Sequence, residues 1–254
     1  MQTKLGLKMF NDLKVALAFL TRIPVNHSPQ ISLRRSAAFF PLIGAMIGLF
    51  GGGTFFLASS FLPSLPAAAL AILVTISITG AFHLDGLADI CDGLIGGWNR
   101  EERLKILKDS RHGTYGVVAI VMQLILQVNL LATFKAAEGL VVMISLHTIS
   151  RLVPIFFMLL PASEGHEGMG AGISREITFK EPLFASALTS IIIFPILGIY
   201  TIPLVVFVGI GASIFAIWVF RKIGGMLGDA FGAGEQIAET LVMLFFAFLF
   251  GLTD

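Results

Sequence analysis

"LFASALTSIIIFPILGIYTIPLVVFVGIGASIFAIWVF", residues 183 to 220, carries no charged side chain. At about 1.5 Å per helical residue it is roughly twice as long as a crossing of a ~30 Å hydrocarbon core requires. It therefore reads as two spans, 183–201 and 202–220, with Pro203 almost the only punctuation between them. If the region is instead one re-entrant pair, one span fewer results. Further apolar runs lie at 37–61, 65–83, 114–134, 139–160 and 236–253, giving seven candidate spans. The expected fold is an all-α, polytopic membrane bundle, with residues 1–254 forming a single integral-membrane domain. Composition agrees. The 254 residues are 56% hydrophobic and only 13% charged, about half the charge of a soluble domain, and the mean hydropathy is +0.90.

Residues 7–24, "LKMFNDLKVALAFLTRIP", read as an amphipathic helix lying at the interface. This N-terminal part lacks a continuous apolar core and a small-residue cleavage site, so it is not expected to be a cleavable signal peptide. One cysteine, Cys91, excludes an intramolecular disulfide framework and a multi-cysteine zinc site; it reads as a small packing residue rather than a catalytic thiol. A net charge of +1 points to no particular partner, and no nucleic acid is expected.

The distribution of charge says more. Lys4, Lys8, Lys14, Arg22, Arg34 and Arg35 precede the first span. Arg100, Arg103, Lys105, Lys108 and Arg111 sit in the 84–113 motif loop, Arg175 and Lys180 in the 161–182 loop, and Arg221 and Lys222 after the sixth span. With seven spans all of these fall on one side, and only Lys135 falls on the other. The positive-inside rule then puts the N-terminus and the basic loops in the cytoplasm and the C-terminus outside, across a prokaryotic cytoplasmic (inner) membrane. Nearly all acids share that cytoplasmic side.

"GAFHLDGLADICDGLIGG", residues 80–97, concentrates three of those acids. On a helix Asp85, Asp89 and Asp92 share one face, where they repel one another unless a cation sits among them. A hard divalent ion such as Mg²⁺ takes carboxylate oxygens and keeps waters or phosphates as its other ligands. The alternative is a solvated helix end. The neighbouring glycines weaken a helix and leave room for another helix or a bulky ligand. His83 could join as ligand, as hydrogen-bond donor or as an orienting residue.

"RLKILKDSRHGTYG", residues 103–116, follows. Lys108, Ser110 and Arg111 read as a clamp for an anionic substrate, whereas Arg100, Arg103 and Lys105 read as an ordinary anchor for the next span. Arg151 lies inside a span with His147 one turn before it, and a charge there marks a functional site. It binds a phosphate or pairs with an aspartate. "LLPASEGHEGMGAG", 159–172, offers Glu164, His166 and Glu167 as a substrate loop or a second metal site. In "RKIGGMLGDAFGAGEQIAETL", 221–241, Asp229 reads as a second contributor to the metal or substrate site. Glu239 falls at the start of the last span, as part of that site or paired with Arg151. Acids for a divalent ion, cations for phosphate and an apolar bundle fit phosphoryl or prenyl-diphosphate transfer at a membrane surface.

These motifs, with "ALAFLTRIPV" and "FFPLIGAMIG" before them, resemble the cobalamin synthase family, the adenosylcobinamide-GDP ribazoletransferases, nearly end to end. The resemblance implies a Mg²⁺-dependent transferase. It joins adenosylcobinamide-GDP to α-ribazole or its 5′-phosphate and releases GMP. It implies that Asp85, Asp89 and Asp92 hold Mg²⁺, that one of them or Asp229 is the base, and that Lys108, Arg111 and Arg151 bind phosphates. Two departures stand out. Gly225-Met226-Leu227-Gly228-Asp229 lacks the hydroxyl of the family's Gly-x-Thr-Gly-Asp pattern, and Ser150 stands where glycine is common. Competing readings are a CDP-alcohol phosphotransferase, whose Ala-Arg is missing after "DICDG", an intramembrane prenyltransferase, whose second aspartate motif is weak here, and a cation transporter, which leaves Lys108 and Arg111 without a role.

Overall fold

The computed structural model describes residues 2–26, 33–109, 111–164 and 177–251, with side chains from residue 6 onward. They are mostly helical, and the one β feature among them is an isolated bridge between Ala162 and Met226. The helices are α1 (Gln2–Leu20), α2 (Leu33–Ala37), α3 (Phe40–Ala58), α4 (Ser64–Thr79), α5 (Phe82–Gly96), α6 (Arg100–Ile106), α7 (Thr114–Ala132), α8 (Ala136–Ser150), α9 (Leu152–Phe157), α10 (Lys180–Leu197), α11 (Thr201–Ile223) and α12 (Gly228–Gly251).

Among the described residues, five stretches are long and apolar enough to cross a membrane, or six if α4 and α5 count as one bent span. Residues 180–223 are one of the five, where the sequence reading expects two separate spans. Both ends of that stretch lie at the same end of the bundle. Glu181 accepts from Arg34, just before α3, and the carbonyl of Ile223 accepts from Arg100, just after α5. A chain of 44 residues can leave and return in this way only by turning back. It does so after Pro195, through Gly198 (φ +54°) and a 3₁₀ turn at Gly198–Tyr200. The expected boundary at Pro203 falls inside α11 instead; its place near that helix's start costs no internal hydrogen bond.

The other boundaries also move. The span expected at 65–83 ends at Thr79, because Gly80 and Ala81 both adopt positive φ (67° and 61°) and turn the chain by 90° into α5. The 84–113 motif loop is thus mostly the helices α5 and α6. The last span begins at Gly228 rather than 236, so the glycine-and-acid stretch is helical. The helix that the sequence reads as interfacial runs from Gln2 to Leu20, exposes Leu7 and Phe10, and buries Ala16 and Leu20.

Glycines set the closest helix contacts. α3 and α8 run antiparallel, with Gly44 against the backbone of His147 and Gly48 against that of Met143. A side chain at either position would collide with main chain, so these glycines are what let the two helices touch. α7 and α12 run parallel, joined by Gln123 to Gln236 and Gln127 to Glu239. This arrangement places the starts of α7 and α12 and the ends of α8 and α11 at one end of the bundle, beside α5.

Candidate functional site

α5 carries the three aspartates, and the structure gives them different surroundings. Asp92 is buried. Its Oδ2 accepts from the amide of Gly113 at 2.6 Å, and its Oδ1 from that of Gly116 at 2.9 Å. These amides open α7, a helix whose first residues have no side-chain cap of their own. Asp92 satisfies two of the donors that a helix start leaves unpaired and offsets its positive dipole end. A side chain on Gly113 would run into Asp92 Oδ1 at 2.6 Å, so "HGTYG" needs its glycine for this contact.

That cap returns the basic loop to α5 and brings in a residue the sequence reading did not select. His112 lies between the other two aspartates, with Nε2 3.4 Å from Asp85 Oδ1 and Nδ1 3.5 Å from Asp89 Oδ1. Its signal was a histidine beside the glycine of the basic motif, 23 residues from Asp89 and 27 from Asp85. Asp85 is exposed and Asp89 half-buried. Asp229 joins them from α12. Its backbone packs on Gly86, where an added Cβ would lie 2.8 Å from the Asp229 carbonyl oxygen and 3.2 Å from its Cα. Asp229, Asp85 and Asp92 are all close enough to Asp89 for their charges to act on it, and Asp85 acts on Asp229 as well. The acids that share an open site are thus Asp85, Asp89 and Asp229, with Asp92 beneath them as a cap.

The cations divide likewise. Arg111 is exposed and held by Asp109, donating from Nε at 3.0 Å and Nη2 at 2.7 Å. The guanidinium holds the Asp109 carboxyl at about 2, well below its usual range. Lys108 is exposed. Ser110, His166 and Glu167 lie outside the described residues. Arg100 and Arg103 donate to the carbonyls of Ile223 and Lys222 at 3.0 and 3.2 Å, tying α6 to the C-terminal end of α11, where cations are favoured. Glu164 meets Arg100 through its main-chain oxygen at 3.0 Å, not through its carboxylate.

His83, Arg151 and Glu239, read from sequence as candidates for substrate contact, are buried together inside the bundle. Arg151 Nη1 pairs with Glu235 and with Glu239 (2.6 Å to the latter) and lies 3.1 Å from His147 Nδ1. His147 Nδ1 is 2.8 Å from Glu239 Oε1, and His83 Nδ1 3.4 Å from Glu235 Oε2. The partners of Arg151 are therefore glutamates of α12, not the aspartates of α5. His147, Glu235 and Glu239 form the one trio among the described residues whose potential metal-ligating atoms all lie within 4.8 Å of one another. Arg151 pairs with both glutamates, lies against His147, and fills the place of a cation there.

Fold and site together define a polytopic membrane protein whose acids and cations gather at one end of an apolar bundle, the layout of a membrane-embedded transferase. The particular family follows from comparison. The chain belongs to the cobalamin-5-phosphate synthase family, which matches residues 12–247. It is 36% identical over 242 residues to the adenosylcobinamide-GDP ribazoletransferase of Shewanella amazonensis, covering 91% of this chain and 92% of that one. It is 34% identical over 245 residues to the protein of that name from Ralstonia nicotianae, covering 91% and 93%. No solved structure matches the chain.

Proposed function

We propose that the chain transfers the adenosylcobinamide phosphate of adenosylcobinamide-GDP to a ribose hydroxyl of α-ribazole or its 5′-phosphate, with GMP as leaving group. The observation that carries this reading is similarity along nine-tenths of the chain to relatives bearing that activity in their names, in a span that includes both α5 and the basic loop.

The geometry supplies the parts. Lys108 and Arg111 are exposed in the loop whose His112 lies between Asp85 and Asp89, and they would meet an anionic diphosphate there. Arg111 can exchange Asp109 for a phosphate with the same fork geometry. The donor set of Asp85, Asp89 and Asp229 is all carboxylate oxygen, which suits Mg²⁺. Asp92 is the weaker candidate because each of its oxygens already accepts an amide. When bound, Mg²⁺ would offset charge on the diphosphate and on the leaving GMP. Asp229 or Asp89 would accept the proton of the attacking hydroxyl. The arginines and lysines of 100–111 and 221–222 gather at the site's end of the bundle, which supports a cytoplasmic site on an inner membrane, open to water-soluble substrates.

The test is turnover by the purified protein in lipid with adenosylcobinamide-GDP, α-ribazole and Mg²⁺. GMP release matched by a cobalamin product supports the reading. Turnover of a CDP-alcohol substrate instead, with no GMP formed, overturns it.

A further inference from the structure

We propose that Arg151 is a positioning residue. With Glu235 and Glu239 it locks the register of α12 against α5, α7 and α8, and so holds Asp229 opposite Asp85 and Asp89. The proposal rests on the carboxylate site described above and gives its buried neighbour a role in it.

The geometry is specific. One nitrogen of Arg151, the residue that caps α8 and joins it to α9, binds both glutamates of α12, which lie one turn apart. Ser150 donates to Glu235 at 3.0 Å. From α7, Gln127 donates to Glu239 at 2.9 Å and Gln123 to the Gln236 carbonyl at 2.8 Å. From α5, His83 faces Glu235 at 3.4 Å, and the His83 backbone lies 3.3 Å from where a Cβ on Gly232 would be. Three helices thus grip α12 within two turns. Asp229 is six residues before Glu235 on the same uninterrupted helix, and the helices that do the gripping carry Asp85, Asp89 and the start of α7 beside His112.

Surroundings make this grip discrete rather than adjustable. Arg151 is 1% exposed and Glu235 0%, so bulk water does not readily take the place of a lost partner. A shift of α12 by one residue, about 1.5 Å, would leave buried charges unpaired, and such states are strongly disfavoured in an apolar bundle. A loss of register of that size would pull Asp229 away from Asp85 and Asp89. Outer-shell partners of metal ligands typically change metal affinity or activity by about 10–100-fold.

The test uses the full chain in lipid nanodiscs, with Mn²⁺ as a paramagnetic probe and steady-state kinetics alongside. Arg151→Gln is expected to keep its helical content, to bind Mn²⁺ at least about tenfold more weakly, and to lose kcat while KM for adenosylcobinamide-GDP stays near wild type. Arg151→Lys should recover part of both losses. If Arg151→Gln does not fold, Glu239→Gln, which keeps shape and leaves the Arg151–Glu235 pair, should show the same pattern more mildly. A raised KM with unchanged Mn²⁺ affinity would make Arg151 a substrate ligand and overturn the proposal. Folded variants with wild-type kcat and Mn²⁺ affinity would overturn it too. Failure of the carboxylate reading looks different: wild type would bind Mn²⁺ no better than Asp85→Asn, and the kcat-against-KM split would still decide the role of Arg151.

Discussion

Asp85 and Asp92 stand two turns apart on one helix face, and their surroundings assign them different work. Asp85 is exposed among other acids and makes no hydrogen bond to backbone among the described residues, so Asp85→Asn should abolish nearly all turnover with no loss of thermal stability. Asp92 is committed to two amides of α7. Asp92→Ala should lower stability by about 2 kcal/mol, the scale of a lost cap with charged hydrogen bonds, and should loosen the loop that carries His112. Thermal melts of both variants in one detergent check the contrast; equal stability loss would undo it. Asp109 gives a pH prediction. Its folded pKa, about 2, is depressed by Arg111, so the pair's contribution is present above the ordinary carboxylate value and fades only as pH falls toward 2. Between roughly pH 5 and 8 Asp109 stays ionised. The pH profile of activity should therefore have the same shape in wild type and Asp109→Asn, and a displaced limb in the variant would show that the pair titrates in the working range.

At the scale of elements, the contact of α5 with α12 governs the site. A methyl at Gly86 would press on the Asp229 main chain at 2.8 Å, and backbone cannot rotate aside as a side chain can. Gly86→Ala should part the two helices and cost at least about tenfold in kcat, the scale expected when reacting groups are misplaced. Gly53→Ala on α3, where nothing lies within 4 Å, should leave activity alone and stabilise the helix by about 0.5–1 kcal/mol. This also marks what the sequence could disclose. The aspartate motif with its glycines, the basic loop after it and the apolar spans were legible because composition and period are local. The choice of Asp229 over Asp92 as the third acid of the open site was not, since it depends on which face of α12 meets Gly86. His112 was hidden for the same reason: the Asp92 cap that folds it back joins residues more than twenty apart. The partners of Arg151 were half legible. A pair with Glu239 was one alternative the sequence offered, and the structure has it; only the packing of α8 on α12 selects it over the aspartates and adds Glu235. The turn at Gly198 was obscured because a proline near a helix start and a glycine between apolar runs look alike as punctuation.

For the whole molecule, the charge pattern and the contact pattern gather the basic loops at one end by separate routes. The lysines and arginines of the loops gather at one end by count, and Arg34 to Glu181, Arg100 to Ile223 and Arg103 to Lys222 join those same loops in space. α12 starts at that end, where Met226 pairs with Pro161 and Ser163, and runs 24 residues without a break. At about 1.5 Å per residue this is roughly 36 Å, enough for one crossing and too little for two. If α12 spans, as its length and composition allow, its C-terminal end would lie across the membrane from the carboxylates whatever the number of spans before it. With the basic end in the cytoplasm, alkaline phosphatase fused after Asp254 should be active in cells and green fluorescent protein fused there should be dark. A phosphatase fused within 221–226, on the chain cut at that point, should be inactive. A fluorescent C-terminal fusion would place the carboxylate site outside the cell, away from any cytoplasmic supply of a nucleotide-activated substrate, and would overturn both the orientation and the access route it implies.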